Sequence, residues 1–520
     1  MKVLFIQPRV PPCAWGVEYI QPYVGCRHPN PPLGLMTLAS VISADCDVEI
    51  CDENVSTVDY DTDADIVGIS GSYLTEVHVN RVMELAAHFR KRGKIVCIGG
   101  SVANLTPEAM RPHCDVLFEG EGELTWPQFL KDFKQGEYKD HYVQVEPFDM
   151  SVAPLPRIDL IDAKAYGGGI VQTTRGCPFS CEFCDIIVVF GRKVRAKPIE
   201  TVLRELELWA QAGQHTIFFC DDNFVGNRVY TKKLLRELIK FNANRKHPLW
   251  FSTQVSIDTA KDPELMGLMR DANFVQVFVG IESPRKASLA ETLKFQNVHT
   301  DDLVDAVHKI QSYGIWVDCG MIVGFDNDDA DIFDEQFNFL RRAGLVGAQI
   351  GLLFAVPKTP LYERMKLDGR LMEPDTHLST HIRPSLMTYP EMIVGYLKLV
   401  QKAYSYEAYL ERYMIALANL KPHDFSGGPA LPTFRNLLCL LNLLRFYCLS
   451  TDPTRLRFFA KMVSATVKLN PRAWTWTVRS LVRLIQFQRY IEFDLGSLVA
   501  RMPKKTSSES VTQLEELRAS

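Results

Sequence analysis

Long apolar runs are missing from this sequence, since none of its 520 residues begins a stretch of eighteen apolar residues. A helix that spans a bilayer needs about 20 such residues, so we expect no membrane-spanning segment. Charge of one sign is also scarce: 58 basic residues stand against 62 acidic ones, and the formal net charge is −4. This balance gives no global reason to expect nucleic acid as a partner. Short-period repeats are absent, and low complexity is confined to the tail from about Pro503, where Lys, Ser and Glu predict disorder.

Cysteine is sparse as well, because 13 cysteines in 520 residues are too few for a disulfide scaffold. A reducing, cytosolic compartment is the setting that we expect. The first residues, M-K-V-L-F-I-Q, predict a strand and are not followed by the apolar segment of a signal peptide. With 47% apolar and 23% charged residues, the chain should fold into two to four globular domains.

Three of the cysteines do stand together, in the run T-T-R-G-C-P-F-S-C-E-F-C-D, as Cys177, Cys181 and Cys184. Three thiolates on one loop can hold three irons of a four-iron cluster and leave the fourth iron open to a small molecule. A structural zinc site would need a second ligand pair nearby, and none follows. A redox C-x-x-C pair would leave Cys177 unexplained. The spacing therefore predicts an iron–sulfur cluster with an open iron.

Residues 1 to about 140 alternate short apolar runs with helical patterns, which predicts a parallel sheet with crossover helices. We expect its strands at Val3–Gln7, Val48–Cys51, Ile66–Ser70, Ile95–Ile98 and Val116–Phe118. Ligands of such sheets lie beyond the carboxyl ends of the strands, where glycine lets backbone N–H groups approach closely. The small or polar residues at these ends are candidate ligand contacts: Ser70, Ser72, Gly99, Gly100, Ser101, Gly120 and Glu121. No G-x-G-x-x-G follows the first strand, so a dinucleotide is disfavoured.

A proline-rich stretch, 141–168, predicts a linker into a second strand–helix unit, 169–385. Six strands are expected there, at Ile170–Thr174, Thr216–Cys220, Leu249–Gln254, Phe274–Gly280, Trp316–Val323 and Gln349–Phe354. This repetition predicts a partial barrel whose functional residues lie at the strand carboxyl ends. Candidates at these ends are Asp221, Asp222, Gln254, Ser256 and Glu282. The two aspartates could instead cap the helix that begins near Val229, and Glu282 could be an ordinary acid at a helix start.

The cysteine run resembles the signature of the radical S-adenosylmethionine (radical SAM) enzymes, including Phe183 just before the third cysteine. The segments I-S-G-S-Y-L-T (69–75), G-G-S-V-A-N-L-T-P-E (99–108) and F-E-G-E-G-E (118–123) resemble the cobalamin-binding domain of cobalamin-dependent radical SAM enzymes. Three further segments, C-D-D-N-F-V-G-N-R, F-V-G-I-E-S-P and A-V-P-K-T-P-L-Y, are similar to the subgroup that includes the hopanoid C-2 methylases. The likeness spans roughly residues 1–400. A D-x-H-x-x-G segment is missing, so histidine ligation of cobalt is not carried over. A degenerate flavodoxin-like domain that binds nothing is the alternative.

This resemblance implies an α/β protein with a Rossmann-like (flavodoxin-like) cobalamin-binding domain (1–140), a linker (141–168) and a partial (β/α)6 radical SAM barrel (169–385). It also implies a [4Fe-4S] cluster on the three cysteines and cobalamin on the loop residues of the first sheet. The residues expected to contact S-adenosylmethionine (SAM) are Phe183, Asp221, Asp222, Gln254, Ser256 and Glu282. The expected activity is methylation of an unactivated carbon of a small molecule, hopanoid or other lipid, with electrons from a flavodoxin or ferredoxin. Radical coupling, cyclisation or rearrangement, or a sensor without catalysis, are the alternatives.

After about Leu386 helical patterns replace strands, and a helical region (386–502) precedes the tail (503–520). Helices are expected at Tyr396–Met414, Pro432–Leu449, Pro453–Lys468 and Ala473–Phe493. Residues 431–505 hold thirteen Lys or Arg against three Asp or Glu, among many Leu, Phe and Trp. Two interpretations are open: an amphipathic surface in peripheral contact with the inner membrane, or a helical cap that packs against the barrel.

Overall fold

The computed structural model describes residues 1–373, 380–421 and 434–496. The predicted disordered tail lies outside the described residues. The N-terminal sheet has six parallel strands in the spatial order β2-β1-β3-β4-β5-β6. Their bounds are β1 (Lys2–Gln7), β2 (Asp47–Asp52), β3 (Ile66–Ser70), β4 (Ile95–Gly99), β5 (Val116–Glu119) and β6 (His141–Val143).

Helices cover both faces of this sheet, which is why β1 and β3 are nearly continuous buried apolar runs. The helices that cover it are α2 (Leu33–Ser40), α3 (Glu76–Lys91), α4 (Ser101–Leu105), α5 (Pro107–Met110) and α6 (Thr125–Gln135), while the short α1 (Gln21–Val24) packs on the C-terminal region. One core packs α3 against β3 and β4, and a second packs α2 and α6 against the other face. The predicted flavodoxin-like sheet is confirmed, and it gains β6, which lies just beyond the predicted boundary at residue 140.

The second sheet also has six parallel strands, in the order β14-β13-β12-β11-β10-β7. Its strands are β7 (Gly169–Val171), β10 (Thr216–Phe219), β11 (Trp250–Val255), β12 (Phe274–Glu282), β13 (Trp316–Val323) and β14 (Ala348–Leu352). A separate antiparallel pair, β8 (Thr174–Arg175) and β9 (Arg195–Ala196), brackets the cysteine run. The helices of this unit are α7 (Ile186–Val189), α8 (Ile199–Gln211), α9 (Arg228–Ala243), α10 (Pro263–Asp271), α11 (Lys286–Glu291), α12 (Phe295–Val298), α13 (Leu303–Gln311), α14 (Ile332–Ala343) and α15 (Pro360–Leu367). The strand order is that of an open, partial barrel.

The C-terminal region is helical, as predicted: α16 (Tyr389–Ala403), α17 (Tyr406–Asn419), α18 (Phe434–Cys448), α19 (Pro453–Leu469) and α20 (Trp474–Tyr490). The single helix predicted at Tyr396–Met414 is wrong, because the chain breaks between α16 and α17. Ser405 caps the second helix by accepting a hydrogen bond from the N–H of Ala408. Helices α16, α17 and α20 share one core with the second sheet, so part of this region packs as a cap.

A long connection between β1 and α2, residues 8–32, leaves the N-terminal sheet and reaches the C-terminal helices; we call it the crossing segment. The Tyr19 hydroxyl donates to Asp494 at 2.7 Å, and the Gln486 amide donates to the carbonyl of Cys13 at 2.9 Å. The Asn442 amide donates to the carbonyl of Pro22 at 3.0 Å. The crossing segment therefore ties the first domain to α18 and to the end of α20.

Candidate active site between the two sheets

The cysteine run forms a loop, residues 176–194, closed at its base by the pairing of β8 with β9. Gly176 has a φ of +92°, and a Cβ there would lie 2.7 Å from the carbonyl oxygen of Lys193. Its N–H donates to Asp222 Oδ2 at 2.8 Å, and the N–H of Cys177 donates to the carbonyl of Gly191 at 3.3 Å. Only glycine fits this turn, which fixes where the first cysteine starts.

The three thiols are free, with Cys181 buried and Cys177 and Cys184 half-buried. Burial raises the pKa of Cys177 and raises that of Cys184 to about 12, and neighbouring thiols of the run add to both shifts. The Gln296 amide donates to Cys181 Sγ at 3.5 Å. Among the described residues, no three His, Cys, Asp or Glu side chains converge on one metal ion.

A buried ion pair stands next to this loop, at the end of β12. Lys294 Nζ lies 2.5 Å from Glu282 Oε1, and only a tenth of either side chain is exposed. Lys294 also lies 5.7 Å from the centre of the Phe183 ring. Glu282 has a φ of +65°, a strained conformation for this residue type that the surrounding structure must maintain. Gly280 leaves room for the pair, since a Cβ there would lie 2.4 Å from Glu282 Oε1.

Asp221 and Asp222 follow β10 and anchor the neighbouring loops. Asp221 is fully buried and accepts hydrogen bonds from the N–H of Thr173 at 2.6 Å and from the hydroxyls of Thr173 and Thr174. Burial raises its pKa, and burial raises the pKa of Asp222 to about 7. Neither aspartate caps α9, because Asn227 does so. Asp222 is the half-buried one of the two and lies beside the cysteine loop.

Gln254 and Ser256 lie in different places in the structure. Ser256 follows β11 directly, and its hydroxyl accepts a hydrogen bond from the Asn223 amide at 3.3 Å. Gln254 is exposed and lines the interior of the sheet, below the strand end. The structure thus places Asp222, Ser256 and Glu282 at the carboxyl edge, with Gln254 deeper. Their roles in binding SAM stay a prediction.

The carboxyl edge of the N-terminal sheet is built from tight glycine turns. Gly100 has a φ of +85°, and a Cβ there would lie 2.8 Å from the carbonyl oxygen of Gly71. Gly99 accepts a hydrogen bond from the N–H of Gly71 at 2.9 Å, so the loops after β3 and β4 touch. Gly120 has a φ of +95°, and its N–H donates to Asn104 Oδ1 at 2.7 Å. At these turns the backbone reaches the edge of the sheet, and no side chain of the glycines stands between it and a ligand.

The serines of this edge are placed differently. Ser70 ends β3 and Ser101 begins α4. The Ser72 hydroxyl donates to Gln7 Oε1 at 3.2 Å, and its N–H donates to Nε2 of His78 at 3.1 Å. His78 is fully buried beneath the loop, so it supports the loop rather than facing a ligand. A large planar ligand could bind here through backbone groups, because the edge has glycine turns and serine hydroxyls. The direct contacts of these residues with cobalamin stay a prediction.

Glu121 occupies another environment than the one predicted for a cobalamin contact. Its carboxylate pairs with Arg175 at 2.7 Å and with Arg195 at 2.6 Å, and Glu123 pairs with Arg175 at 2.6 Å. Both arginines flank the cysteine loop, in β8 and β9. Lys358, after β14, donates to the carbonyl of Asn104 at 2.6 Å. These contacts hold the carboxyl edges of the two sheets against each other.

Sequence reasoning missed the arginines and Lys294. Arg175 and Glu121 are 54 residues apart, and Arg195 and Glu121 are 74 apart. No local sequence pattern predicts ion pairs between residues so far apart in the chain. The one available signal was the acidic run E-G-E-G-E opposite a loop rich in basic residues.

Comparison with known proteins agrees with this arrangement. Residues 26–130 match the B12 binding domain, residues 171–340 match the Radical SAM superfamily, and residues 359–493 match DUF4070, a domain of unknown function. The chain is 38% identical over 379 residues to an uncharacterized methyltransferase of Synechocystis sp., covering 72% of this chain and 70% of the relative. It is 31% identical over 396 residues to the hopanoid C-2 methylase of Rhodopseudomonas palustris, covering 75% and 74%. The chain belongs to the cobalamin-dependent radical SAM enzymes.

Solved structures show the same fold for this radical SAM enzyme. OxsB with aqua-cobalamin and S-adenosylmethionine bound gives a TM-score of 0.62 at 17% identity, over 100% of this chain and 83% of that one. TsrM from Kitasatospora setae with cobalamin and a [4Fe-4S] cluster gives 0.58 at 17% identity, over 71% and 79%. The cofactors of the enzyme are a [4Fe-4S] cluster, SAM and cobalamin. The three free thiols and the glycine-turned edge described above fit the first and the last.

Proposed function

We propose that this radical SAM enzyme transfers a methyl group to an unactivated carbon of an isoprenoid lipid, of which a hopanoid is one example. The observation that carries the proposal is the buried set of ion pairs between Arg175, Arg195, Glu121 and Glu123. It holds the cysteine loop against the edge where cobalamin is expected, as methyl transfer from cobalamin to a substrate radical requires. The relative named hopanoid C-2 methylase supports the choice of substrate.

In this proposal the residues of the chain bind and orient. Cys177, Cys181 and Cys184 hold the cluster, while Asp222 and Glu282 accept hydrogen bonds from the amino group and ribose hydroxyls of SAM. When bound, the cluster and SAM supply the radical that removes hydrogen from the substrate, and cobalamin supplies the methyl group. No protein acid or base is needed at an sp3 carbon. The electron comes from a low-potential donor such as flavodoxin or ferredoxin.

Product mass tests the function. The enzyme, reconstituted anaerobically with iron, sulfide and cobalamin, is incubated with a reductant, an isoprenoid lipid extract and SAM carrying a CD3 group. We expect a product heavier than its precursor by one CD3-for-H exchange, and no such product from Cys177→Ala. A product that has lost hydrogen without gaining carbon would replace methylation with cyclisation or coupling. If SAM is cleaved but no lipid product forms, the proposal that the substrate is a lipid is wrong.

We further propose that the enzyme contacts a membrane through α18. Among the described residues, no helix could cross a bilayer. Near its start, α18 nevertheless exposes four leucines, 437, 438, 440 and 441, by 43–51% each. The flanking segment carries the excess of Lys and Arg found in the sequence. Exposed leucines beside cations are typical of a surface that inserts shallowly into anionic lipid.

Vesicle sedimentation checks this contact. Leu437→Asp with Leu441→Asp should weaken binding to anionic vesicles at least tenfold, because two apolar contacts become charged. Binding of the native protein should also fall between 0.1 and 1 M salt, where the Debye length shrinks from about 10 Å to about 3 Å. Leu367→Asp is the matched control, since Leu367 is an 87% exposed leucine on α15. Equal sedimentation of all three proteins, or none, would leave α18 as part of a packing cap.

A further inference from the structure

A cavity of about 700 Å³ opens on the inner side of the second sheet, away from the cysteine loop. Its walls include residues at or near the amino ends of strands, such as Thr216, Gln276, Trp316 and Gln349. The crossing segment and α20 close it from below, and it has the size of an ordinary ligand pocket. The cluster loop and the SAM candidates Asp222, Ser256 and Glu282 lie toward the opposite, carboxyl ends of the strands, whereas the SAM candidate Gln254 lines this cavity. This lower cavity therefore extends from the amino ends of the strands toward the site already described and meets it at Gln254.

Among the described residues, three charged side chains line the lower cavity: Asp318, Arg479 and Arg483. Asp318 is 4% exposed and already accepts hydrogen bonds from the ring N–H of Trp316 at 3.0 Å and from the Gln276 amide at 2.5 Å. Neither arginine has a carboxylate within 4.0 Å among the described residues. The cavity thus holds two cations and one acid, and each oxygen of that acid already accepts one hydrogen bond.

The arginines are held by aromatic faces instead. The Arg483 guanidinium lies 4.3 Å from the Trp15 ring, and that of Arg479 lies 5.1 Å from the Trp476 ring. The ring N–H of Trp15 is buried without an acceptor. Burial and the nearby Arg483 lower the pKa of Arg479 to about 10, so the Arg479 guanidinium remains charged at neutral pH. Two positioned cations facing an open cavity are what a carboxylate or phosphate group requires.

The inner face of the sheet offers a path from these arginines to the cluster loop. Gly280, Gly320 and Gly351 carry no side chain on this face. The Phe278 ring lies 3.3 Å from where a Gly320 Cβ would be, and the Glu282–Lys294 pair lies beside Gly280, so these groups line the path. Asp318 pairs in register with Phe278, four residues before Glu282. At about 3.3 Å per residue, the distance along the strand is about 13 Å.

We propose that the lower cavity binds the acidic end of an amphiphilic substrate, a carboxylate or phosphate whose chain runs along the inner face of the sheet toward the cluster loop. The assignment rests on the proposed function and narrows its substrate class to lipids that carry an anionic group. Val24 and Val478 line the cavity and are 37% and 42% exposed, so its mouth is apolar. Val24 belongs to α1, which packs on α18, the helix proposed to touch the membrane. An amphiphile could therefore enter from that surface.

Quenching of tryptophan fluorescence tests the proposal, because Trp15, Trp316 and Trp476 line the cavity. The reconstituted enzyme is titrated with 12-bromododecanoate, dodecyl phosphate, inorganic phosphate and the neutral 12-bromododecanol. We expect saturable quenching by the bromo acid and at least tenfold weaker binding of the alcohol. Dodecyl phosphate should displace the acid. Arg479→Gln and Arg483→Gln should each lose tenfold in affinity for the acid and nothing for the alcohol.

Arg457→Gln is the matched control, an exposed arginine on α19 that does not line the cavity. Retained iron content and SAM cleavage show that the variants fold. Equal binding of acid and alcohol, or unchanged acid binding in both arginine variants, would overturn the anion site. Inorganic phosphate binding as tightly as dodecyl phosphate would overturn the assignment to an amphiphile. If the protein binds the acid as expected but methylates no lipid, the proposed function is wrong and the assignment of the cavity as an anion site stands.

Discussion

Replacing Cys177, Cys181 or Cys184 with alanine should abolish SAM cleavage, because two thiolates cannot hold a cluster that needs three. Iron content after anaerobic reconstitution should fall in parallel, while the fold persists. The loop is closed at its base by β8 and β9 and by the hydrogen bond of Gly176 to Asp222, none of which needs the thiols. Formation of 5′-deoxyadenosine measures cleavage, and circular dichroism reports the fold.

Cys220→Ala is the matched control for these variants. Cys220 lies at the end of β10, next to Asp221, and is half-buried. It should keep its iron and its activity, because it stands outside the C-x3-C-x2-C run. Full iron and activity in Cys177→Ala would refute the three-cysteine assignment, and loss of iron in a folded Cys220→Ala would add a ligand to it.

Breaking the Glu282–Lys294 pair should cost about 3–5 kcal/mol in the free energy of unfolding, since Lys294→Met leaves a buried carboxylate without its cation. The double variant Glu282→Gln with Lys294→Met removes both charges and should recover most of that stability. If Glu282 also binds the ribose of SAM, the recovered protein should still show a KM for SAM raised at least tenfold. Urea unfolding and single-turnover cleavage separate the two effects.

A second buried pair provides the control. Lys197 contacts Glu205, and these side chains are 6% and 0% exposed. Lys197→Met should destabilise the protein and Lys197→Met with Glu205→Gln should restore it, with an unchanged KM for SAM. A normal KM in the restored Glu282 variant would show that the acid only packs, and its predicted contact with SAM would be abandoned.

The strands of both sheets could be predicted from the sequence because parallel strands, buried on two faces, are unbroken apolar runs with turn residues after them. Strand β6 escaped because its three residues, at the edge of the sheet, carry no such signal. The break between α16 and α17 escaped because apolar spacing continues through Ser405. The pairings of Lys294, Arg175 and Arg195 could not be predicted. Their partners come from other elements, and only the folded register brings them together.

The lower cavity could not be predicted from the sequence either. Gln276, Asp318 and Arg479 belong to three elements, and periodicity assigns each only to a strand or helix. That they face one space follows from the register of β12 with β13 and from the way α20 closes the sheet. The thirteen basic residues of the C-terminal region gave a global signal of charge, while two of them turned out to face inward.

The crossing segment also sets the order in which this protein can be completed. The hydrogen-bond partner of Pro22 is Asn442, 420 residues later in the chain, and that of Cys13 is Gln486, 473 residues later. At roughly 5–20 residues per second, synthesis separates these partners by roughly 20–90 s. The cysteine loop leaves the ribosome in the first half of that interval, when nothing yet covers the underside of the second sheet. The cysteine loop is therefore available well before the chain segments that close the lower cavity have been made.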